Sequence, residues 1–270
     1  LGLHRRRSGD RPGGGVGGVI ALQGLKVLVT GGSRGIGAAC CRLLAAAGAT
    51  VAVHYGSSER AARELVESLP ASAGPGHMLL QAELASPEAI DALFDRLQEE
   101  WGGLDALVNN AGVWRENPIG GLDRGRLEEC WRINLRAPFL CVARATPLLT
   151  ASARASIVNV TSTAGQRGEA RYSFYAASKG ALLAATRSWA AELAPGIRVN
   201  SVAPGWTDTD MVTEAAAGGG RERIAAGIPL GRFASPEDVA GAVLYLVSPL
   251  ARHVTGATVN VNGGGVMGVA

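Results

Sequence analysis

Lysine is almost missing from this chain. Its 26 basic residues include only two lysines, Lys26 and Lys179, and the remaining positive charge is arginine. Net charge is small as well, +3 at pH 7, which gives no argument for a nucleic-acid partner. No stretch approaches the ~20 apolar residues of a membrane-spanning helix, so no membrane partner is expected. The four cysteines, Cys40, Cys41, Cys130 and Cys141, show no C-x-x-C spacing, and the first two are adjacent on one predicted helix. That argues against a metal site and against a disulfide framework. Reduced, mostly buried thiols in a cytoplasmic protein are the expectation.

What is present is apolar material for a sizeable core, 47% of 270 residues. The first 21 residues differ from the rest. They are rich in Gly and Arg, have no hydrophobic period, and read as a disordered or leader segment. Being Arg-rich and acid-poor, the segment leaves an organellar address open. From Leu25 the pattern alternates. "LKVLVT", "TVAVHY", "HMLLQAEL", "LDALVNN", "ASIVNVTS", "IRVNSVAP" and "ATVNVNG" read as buried strands. Helical runs lie between them. The clearest is "SPEAIDALFDRLQEEWGG", with Ser86 as N-cap, Pro87 in the first turn, Ala89, Leu93, Phe94 and Leu97 on one face, and Gly102 after the end. Strands alternating with helices imply right-handed βαβ units and a parallel sheet covered on both faces. No linker interrupts residues 22–270, so the prediction is a single doubly wound α/β domain. Ligands in such a domain bind beyond the carboxyl ends of the strands.

"TGGSRGIG", Thr30 to Gly37, joins the first strand to the first helix. Gly31, Gly35 and Gly37 permit a tight turn and a close approach of backbone to a pyrophosphate. Free N–H groups and the helix dipole favour the anion there. Ser33, Arg34 and Ile36 complete the loop. A site for NAD usually has an acidic residue at the end of the second strand; here Tyr55 holds that place. Arg34, with Ser57 and Ser58 as donors, suits a 2′-phosphate, so NADP(H) is favoured over NAD(H).

The second lysine lies in "YSFYAASKGALL". Tyr172 has Ala176 four residues on, whereas Tyr175 has Lys179, and positions i and i+4 share a helix face. An ammonium beside a phenol favours the phenolate. Bringing a tyrosine from ~10 to near neutrality takes ~3 pKa units, roughly 4 kcal/mol. The expectation is therefore a Tyr175 acidified by Lys179. A hydroxyl donor should sit nearby, and Thr161, Ser162 and Thr163 all end a buried strand; spacing does not choose among them.

Taken together, these residues resemble the short-chain dehydrogenase/reductase family, from Leu25 to about Gly265. "TGGSRGIG" is similar to its T-G-x-x-x-G-x-G cofactor loop, "NNAG" (Asn109 to Gly112) to its sheet-stabilising motif, and "YAASK" to its Y-x-x-x-K. The resemblance implies a Rossmann-like domain that reduces a carbonyl to an alcohol by hydride transfer. It implies Tyr175 as general acid, Ser162 on the carbonyl oxygen, Lys179 on the tyrosine and the ribose, and Asn134 holding a water in a proton relay. It further implies cofactor contacts from Asn110, Ala111 and Gly112, and from Pro204, Gly205, Thr207 and Thr209. Glu83, with Leu84, would meet the adenine. "IPLGRFASPEDVAGAVLYLVSP" and "VTGATVNVNGG" are most similar to 3-oxoacyl-acyl-carrier-protein reductases, which makes a small or acyl-carrier-linked carbonyl compound the expected substrate. Alcohol, sugar or steroid dehydrogenases of the same family are the alternative, and a non-catalytic dinucleotide sensor the lesser one.

Three departures stand out: Glu83 where the family has aspartate, Thr207 where an apolar residue is common, and Asn262 where the C-terminal turn has aspartate. A mobile lid is expected over about 206–230, including Gly218 to Gly220. Met211, Val212, Trp114 and Trp206 form a prospective apolar wall, and Arg115 and Arg167 prospective anion contacts. The helices "APFLCVARATPLL" and "SFYAASKGALLAATRSWAAEL" carry more apolar surface than one core stripe needs, which points to self-association. The resemblance implies a homotetramer, with a dimer as the lesser option.

Overall fold

The computed structural model describes residues 20–213 and 220–267. Most of the predicted leader, and positions 214–219 of the predicted lid with Gly218 and Gly219, lie outside the described residues. Seven strands form one sheet: β1 (Lys26–Val29), β2 (Thr50–Tyr55), β3 (Met78–Gln81), β4 (Ala106–Asn109), β5 (Ser156–Val160), β6 (Arg198–Pro204) and β7 (Thr258–Val261). Their order is β3-β2-β1-β4-β5-β6-β7, and every pairing is parallel. The chain reverses its direction of winding between β1 and β4, which is where a ligand crevice opens in such sheets.

The helices are α1 (Gly35–Ala46), α2 (Glu59–Ser68), α3 (Pro87–Trp101), α4 (Arg124–Trp131), α5 (Ala137–Leu149), α6 (Ala164–Arg167), α7 (Ser173–Glu192), α8 (Asp210–Thr213), α9 (Gly220–Ala226) and α10 (Pro236–Val247). Successive strand residues point to opposite faces, so one sheet supplies two cores. Val27 and Val29 join Val51, Val53 and Val108 in a cluster with α1 and α10. Leu28 joins Ala52, Leu107 and Ile157 in a cluster with α3, α5 and α7. Ile20 packs against the first cluster and Leu22 lies within it, so packing begins slightly before residue 22, the expected edge of the domain.

Local signals explain the helix ends. Ser86 Oγ accepts from Ala89 N at 3.2 Å, and Gly102 closes α3 at φ 67°. The buried stripe of α3 is Ile90, Leu93, Phe94, Leu97 and Trp101; Ala89 sits at its edge. Between α4 and α5 the helix runs on through a π-helical turn, Arg132–Arg136, with Asn134 at its centre. Pro138 lacks the amide that would bond the Asn134 carbonyl four residues back, which accounts for the wider turn at this point. A buried polar chain crosses the sheet: Asn109 Nδ2 donates to Asn159 Oδ1 at 2.9 Å, and Asn159 Nδ2 donates to Thr186 Oγ1 at 2.9 Å. It ties β4 and β5 to α7, the helix of Tyr175. Among the described residues, no helix is long and apolar enough to cross a membrane.

Candidate active site

The glycine loop is shaped by two positions where only hydrogen fits. Gly31 has φ 61°, and a side chain there would come within 2.9 Å of Ala111 Cα. A side chain at Gly37 would lie 2.1 Å from the Gly31 carbonyl oxygen and 2.6 Å from Asn110 Nδ2. Thr30 clamps the loop to the segment after β4. Its Oγ1 accepts from the amides of Asn110 (3.0 Å) and Ala111 (3.1 Å). Asn110 Nδ2 returns bonds to the Thr30 and Gly31 carbonyls, both at 3.0 Å. Arg34 caps α1 by backbone alone, and its side chain is exposed. A side chain on Gly35 would come 3.2 Å from Thr209 Cγ2, so the segment after β6 borders the same cradle. This open backbone at the start of a helix fits a dinucleotide pyrophosphate.

The candidate reacting groups gather at the carboxyl ends of β5 and β4. Of the three hydroxyl residues ending β5, Thr161 Oγ1 donates to the Val202 carbonyl at 2.9 Å, Thr163 is buried, and Ser162 hydrogen-bonds Tyr175. Of the three, Ser162 is therefore the favoured partner of the Tyr175 hydroxyl. Ser162 Oγ also accepts from Ala164 N at 3.1 Å, which fixes its rotamer. Close packing of Gly165 on Gly180 sets α6 against α7; a side chain at Gly165 would lie 2.6 Å from Gly180 N. Lys179 is buried, and its Nζ donates to the Val160 carbonyl at 2.8 Å. Asn134 grips the backbone of Val113, accepting from its N–H and donating to its C=O, both at 2.8 Å. Its Nδ2 also reaches Cys130 Sγ at 3.2 Å and Ser178 Oγ at 3.4 Å. Asn134 and Lys179 meet at Gly112, where a side chain would lie 3.2 Å from Asn134 Oδ1 and 3.4 Å from Lys179 Nζ.

The electrostatics reverse one expectation. The sequence predicts a Tyr175 acidified by Lys179. Instead, burial pushes the phenol up to about 12, against the lowering effect of the Ser162 hydrogen bond; Glu169 and Cys130 push the same way as burial. Burial also pushes Lys179 down to about 8, with Cys130 opposing it. The Lys179 ammonium is spent on a backbone carbonyl, and desolvation is the largest cause for both groups.

Several other expected residues already have partners within the fold. The Tyr55 ring sits in the apolar cluster with α1. Glu83 Oε1 accepts from Ala85 N at 2.9 Å, closing its own turn. Arg115 pairs with Glu129 at 3.5 Å, so its charge is already compensated, while Arg167 is exposed at the end of α6. Thr207 is buried, with its hydroxyl on the Gly205 carbonyl at 3.2 Å. Asn262 uses both ends of its amide: Nδ2 donates to the Val266 carbonyl at 2.8 Å and Oδ1 accepts from Gly264 N at 2.9 Å. A carboxylate has no proton for the first of these bonds, which gives the asparagine a physical reason. Ser57 is exposed; Ser58 and Leu84 flank their turns, and Pro204 and Gly205 leave β6 beside Val261.

Sequence reasoning missed His54 and Glu169. His54 Nδ1 accepts from Gly31 N at 2.9 Å, and its Nε2 lies 3.0 Å from the Ala82 carbonyl oxygen. A histidine in an otherwise apolar strand was the available signal. Glu169 accepts from Trp114 Nε1 at 3.3 Å. Burial raises its carboxyl, opposed by that bond and by Arg167. Nothing in its local sequence marks it. Among the described residues no cluster of His, Cys, Asp or Glu suits a metal.

A family model described as enoyl-(acyl carrier protein) reductase matches residues 31–265. The 3-oxoacyl-acyl-carrier-protein reductase FabG of Staphylococcus aureus is 37% identical over 238 residues, covering 88% of this chain and 96% of that protein. The 3-oxoacyl-acyl-carrier-protein reductase of a Synechocystis strain is 39% identical, covering 92% and 100%. Two solved structures are also similar. A short-chain dehydrogenase/reductase described as a glucose/ribitol dehydrogenase, from Brucella melitensis, has a TM-score of 0.87 and 30% identity, covering 92% of this chain and 99% of the other. A blue fluorescent protein from a metagenomic library, in complex with NADPH, has a TM-score of 0.84 and 38% identity, covering 91% and 99%. With matches that span nearly the whole of these relatives, laid over a doubly wound sheet with its glycine cradle, this chain belongs to the short-chain dehydrogenase/reductase family and is an NAD(P)-dependent oxidoreductase.

Proposed function

We propose that the protein reduces a carbonyl to a secondary alcohol with NADPH, and that 3-oxoacyl thioesters are its substrate class. The observation that carries this reading is the Ser162–Tyr175 hydroxyl pair beside the buried Lys179. The dinucleotide, when bound, supplies a hydride to the carbonyl carbon. As the C–O π pair moves to oxygen, the Tyr175 hydroxyl gives that oxygen its proton. A phenol held near 12 is fully protonated at neutral pH, which suits the donor role. Ser162 hydrogen-bonds the same oxygen and orients the phenol. Lys179 positions the cofactor ribose and, with Asn134, lies on the route by which Tyr175 is reprotonated.

In this reading Gly31, Ser33, Gly35, Ile36 and Gly37 hold the pyrophosphate side. Asn110, Ala111 and Gly112 line the path toward Tyr175 and Lys179, and Pro204, Gly205, Thr207 and Thr209 border the nicotinamide side. The preference for NADP(H) rests on the missing carboxylate at the end of β2, and on Arg34 and Ser58, whose side chains make no capping bond to their own helices. The names of the curated relatives support an acyl-carrier-linked substrate. A homotetramer built on α5 and α7 is supported by exposed Trp131 and Phe139 near those helices. Four free, buried cysteines support a cytoplasmic, reducing setting. We take residues 22–270 as one catalytic domain.

The test is a substrate panel of 3-oxoacyl thioesters, ketones and sugars with NADPH and with NADH, followed at the nicotinamide absorbance. Turnover of 3-oxoacyl thioesters with NADPH is expected. Tyr175→Phe should lose at least about a thousandfold in kcat, while cofactor affinity stays near wild type. Normal turnover by that variant would sink the mechanism, and a preference for sugars or NADH would replace the substrate and cofactor assignments.

A further inference from the structure

We propose that His54 is a positioning residue of the dinucleotide site, tying the glycine loop to the turn after β3 and fixing the distance between them. The inference rests on the reading that these two segments hold the dinucleotide.

His54 lies on β2 and is 2% exposed. A backbone amide only donates, so the 2.9 Å bond from Gly31 N requires Nδ1 to be unprotonated. The ring proton is therefore on Nε2, where it donates to the Ala82 carbonyl at 3.0 Å. The tautomer follows from the partners, and the neutral ring is satisfied at both ends. Burial lowers its pKa from the usual histidine range, against the raising effects of the Ala82 hydrogen bond and of Glu83, which keeps the ring neutral at pH 7. The His54 carbonyl also accepts from Gly32 N at 2.8 Å. The successive amides of Gly31 and Gly32 thus both end on one residue.

Ala82 directly precedes Glu83 and Leu84, the expected adenine-side contacts. Its amide donates to the Tyr55 carbonyl at 3.1 Å, so the turn is held from two neighbouring positions of β2. A buried polar ring is costly unless both nitrogens are bonded. An apolar residue would fill this strand position without that requirement. Here the two bonds reach the two cofactor-facing segments and no other part of the fold. Loss of the ring leaves the Gly31 amide without its buried acceptor and frees the loop to tilt away from the helix start.

The experiment compares wild type with His54→Ala and His54→Asn, using NADPH as the probe. Direct titration gives its Kd, and steady-state kinetics give kcat and KM. Asparagine places Oδ1 where Nδ1 stood and so keeps an acceptor for Gly31. His54→Ala should raise the Kd and KM for NADPH about tenfold or more, with a much smaller change in kcat at saturation. His54→Asn should recover most of the affinity. An alanine variant with wild-type Kd, or an asparagine variant as weak as the alanine one, overturns the inference and leaves the dinucleotide reading intact. If His54→Ala fails to fold, His54→Gln replaces it, since glutamine reaches toward Ala82 but offers Gly31 no acceptor at the Nδ1 position. Asparagine must then bind NADPH more tightly than glutamine, and the reverse order overturns the inference. A wild-type protein that binds neither NADPH nor NADH sinks the dinucleotide reading itself, and this inference with it.

Discussion

On the proposed reading, the nucleotide side of the crevice is set chiefly by close backbone packing, and the substrate side by aromatic rings. Around the glycine loop the decisive contacts are Gly31 against Ala111, Gly37 against the Gly31 carbonyl, and Thr30 on two successive amides. On the other side, Trp114 stacks on Tyr172 with centroids 4.3 Å apart and planes 7° from parallel. Trp206 meets Trp114 edge-on at 6.0 Å and leans on Phe233 at 5.8 Å. These rings come from segments far apart in the chain, pinned by Asn117 N on the Arg171 carbonyl at 2.8 Å, by the Arg171–Glu116 ion pair, and by a two-bond Arg221–Asp208 pair. A backbone cradle tolerates almost no substitution and presents the same polar groups to any dinucleotide. An aromatic cluster can be re-cut by a few substitutions, so it is where substrate choice can vary while the chemistry stays fixed.

The sharpest way to break this comparison is Gly37→Ala. The new methyl would lie 2.1 Å from the Gly31 carbonyl oxygen and 2.6 Å from Asn110 Nδ2, and the amide is itself held by its bonds to the Thr30 and Gly31 carbonyls, which leaves little room to yield. Overpacking against rigid neighbours costs about 3 kcal/mol or more. The variant should melt well below wild type and lose measurable NADPH binding. Wild-type affinity in that variant would mean that the cradle is softer than its geometry, and that the nucleotide side is not set by backbone sterics.

The same contrast explains what the sequence made legible. The strands, their parallel pairing and the ends of α3 follow from local pattern, from Ser86 and from Gly102. The glycine loop could be read because a steric requirement is written in the residue itself. Ser162 could not be chosen from three neighbouring hydroxyl residues, because the choice depends on which of them faces α7. The π turn at Asn134 left one trace, Pro138 inside an otherwise continuous helix. The direction of the Tyr175 shift was misread for a physical reason: spacing reports that a lysine is near, whereas the balance of desolvation against attraction depends on depth of burial. Glu83 and Arg115 were read by type and found engaged with Ala85 and Glu129, partners that only the fold supplies.

That balance can be tested by titration. Lys179 falls from 10.5 to about 8 on folding, so between those values the unfolded state binds the extra proton and stability rises with pH. Tyr175 rises from 10 to about 12; its contribution is complete below pH 10 and is lost as pH climbs through 12. The buried thiols Cys40 and Cys141, raised from 9 to about 12, likewise lose their contribution as pH rises above 9. The clean window is therefore pH 7 to 9. There the wild type should gain about 1 kcal/mol relative to Lys179→Met, read from urea midpoints of the two proteins. In parallel, kcat/KM for reduction should fall as pH passes about 8 and Lys179 loses its charge. A descending limb near neutrality instead would restore the acidified tyrosine that the sequence suggested.

Arg34 stands apart on the nucleotide side, a long exposed side chain beside a site otherwise held by backbone and by well-bonded side chains, and its effect should be the smallest. Removing it leaves the glycine cradle untouched, so binding of the pyrophosphate should persist. What is lost is one charge-assisted contact to a 2′-phosphate in a solvated setting, worth about 1 kcal/mol. Arg34→Ala should weaken NADPH about fivefold and leave NADH unchanged, measured by titrating both cofactors against both proteins. The two cofactors differ only in that phosphate, so the difference between their responses isolates the side chain from the loop that carries it. Equal weakening of NADPH and NADH would show that Arg34 acts on the loop's conformation, and the division between a backbone-built and a side-chain-built half would then fail at the residue where it is easiest to measure.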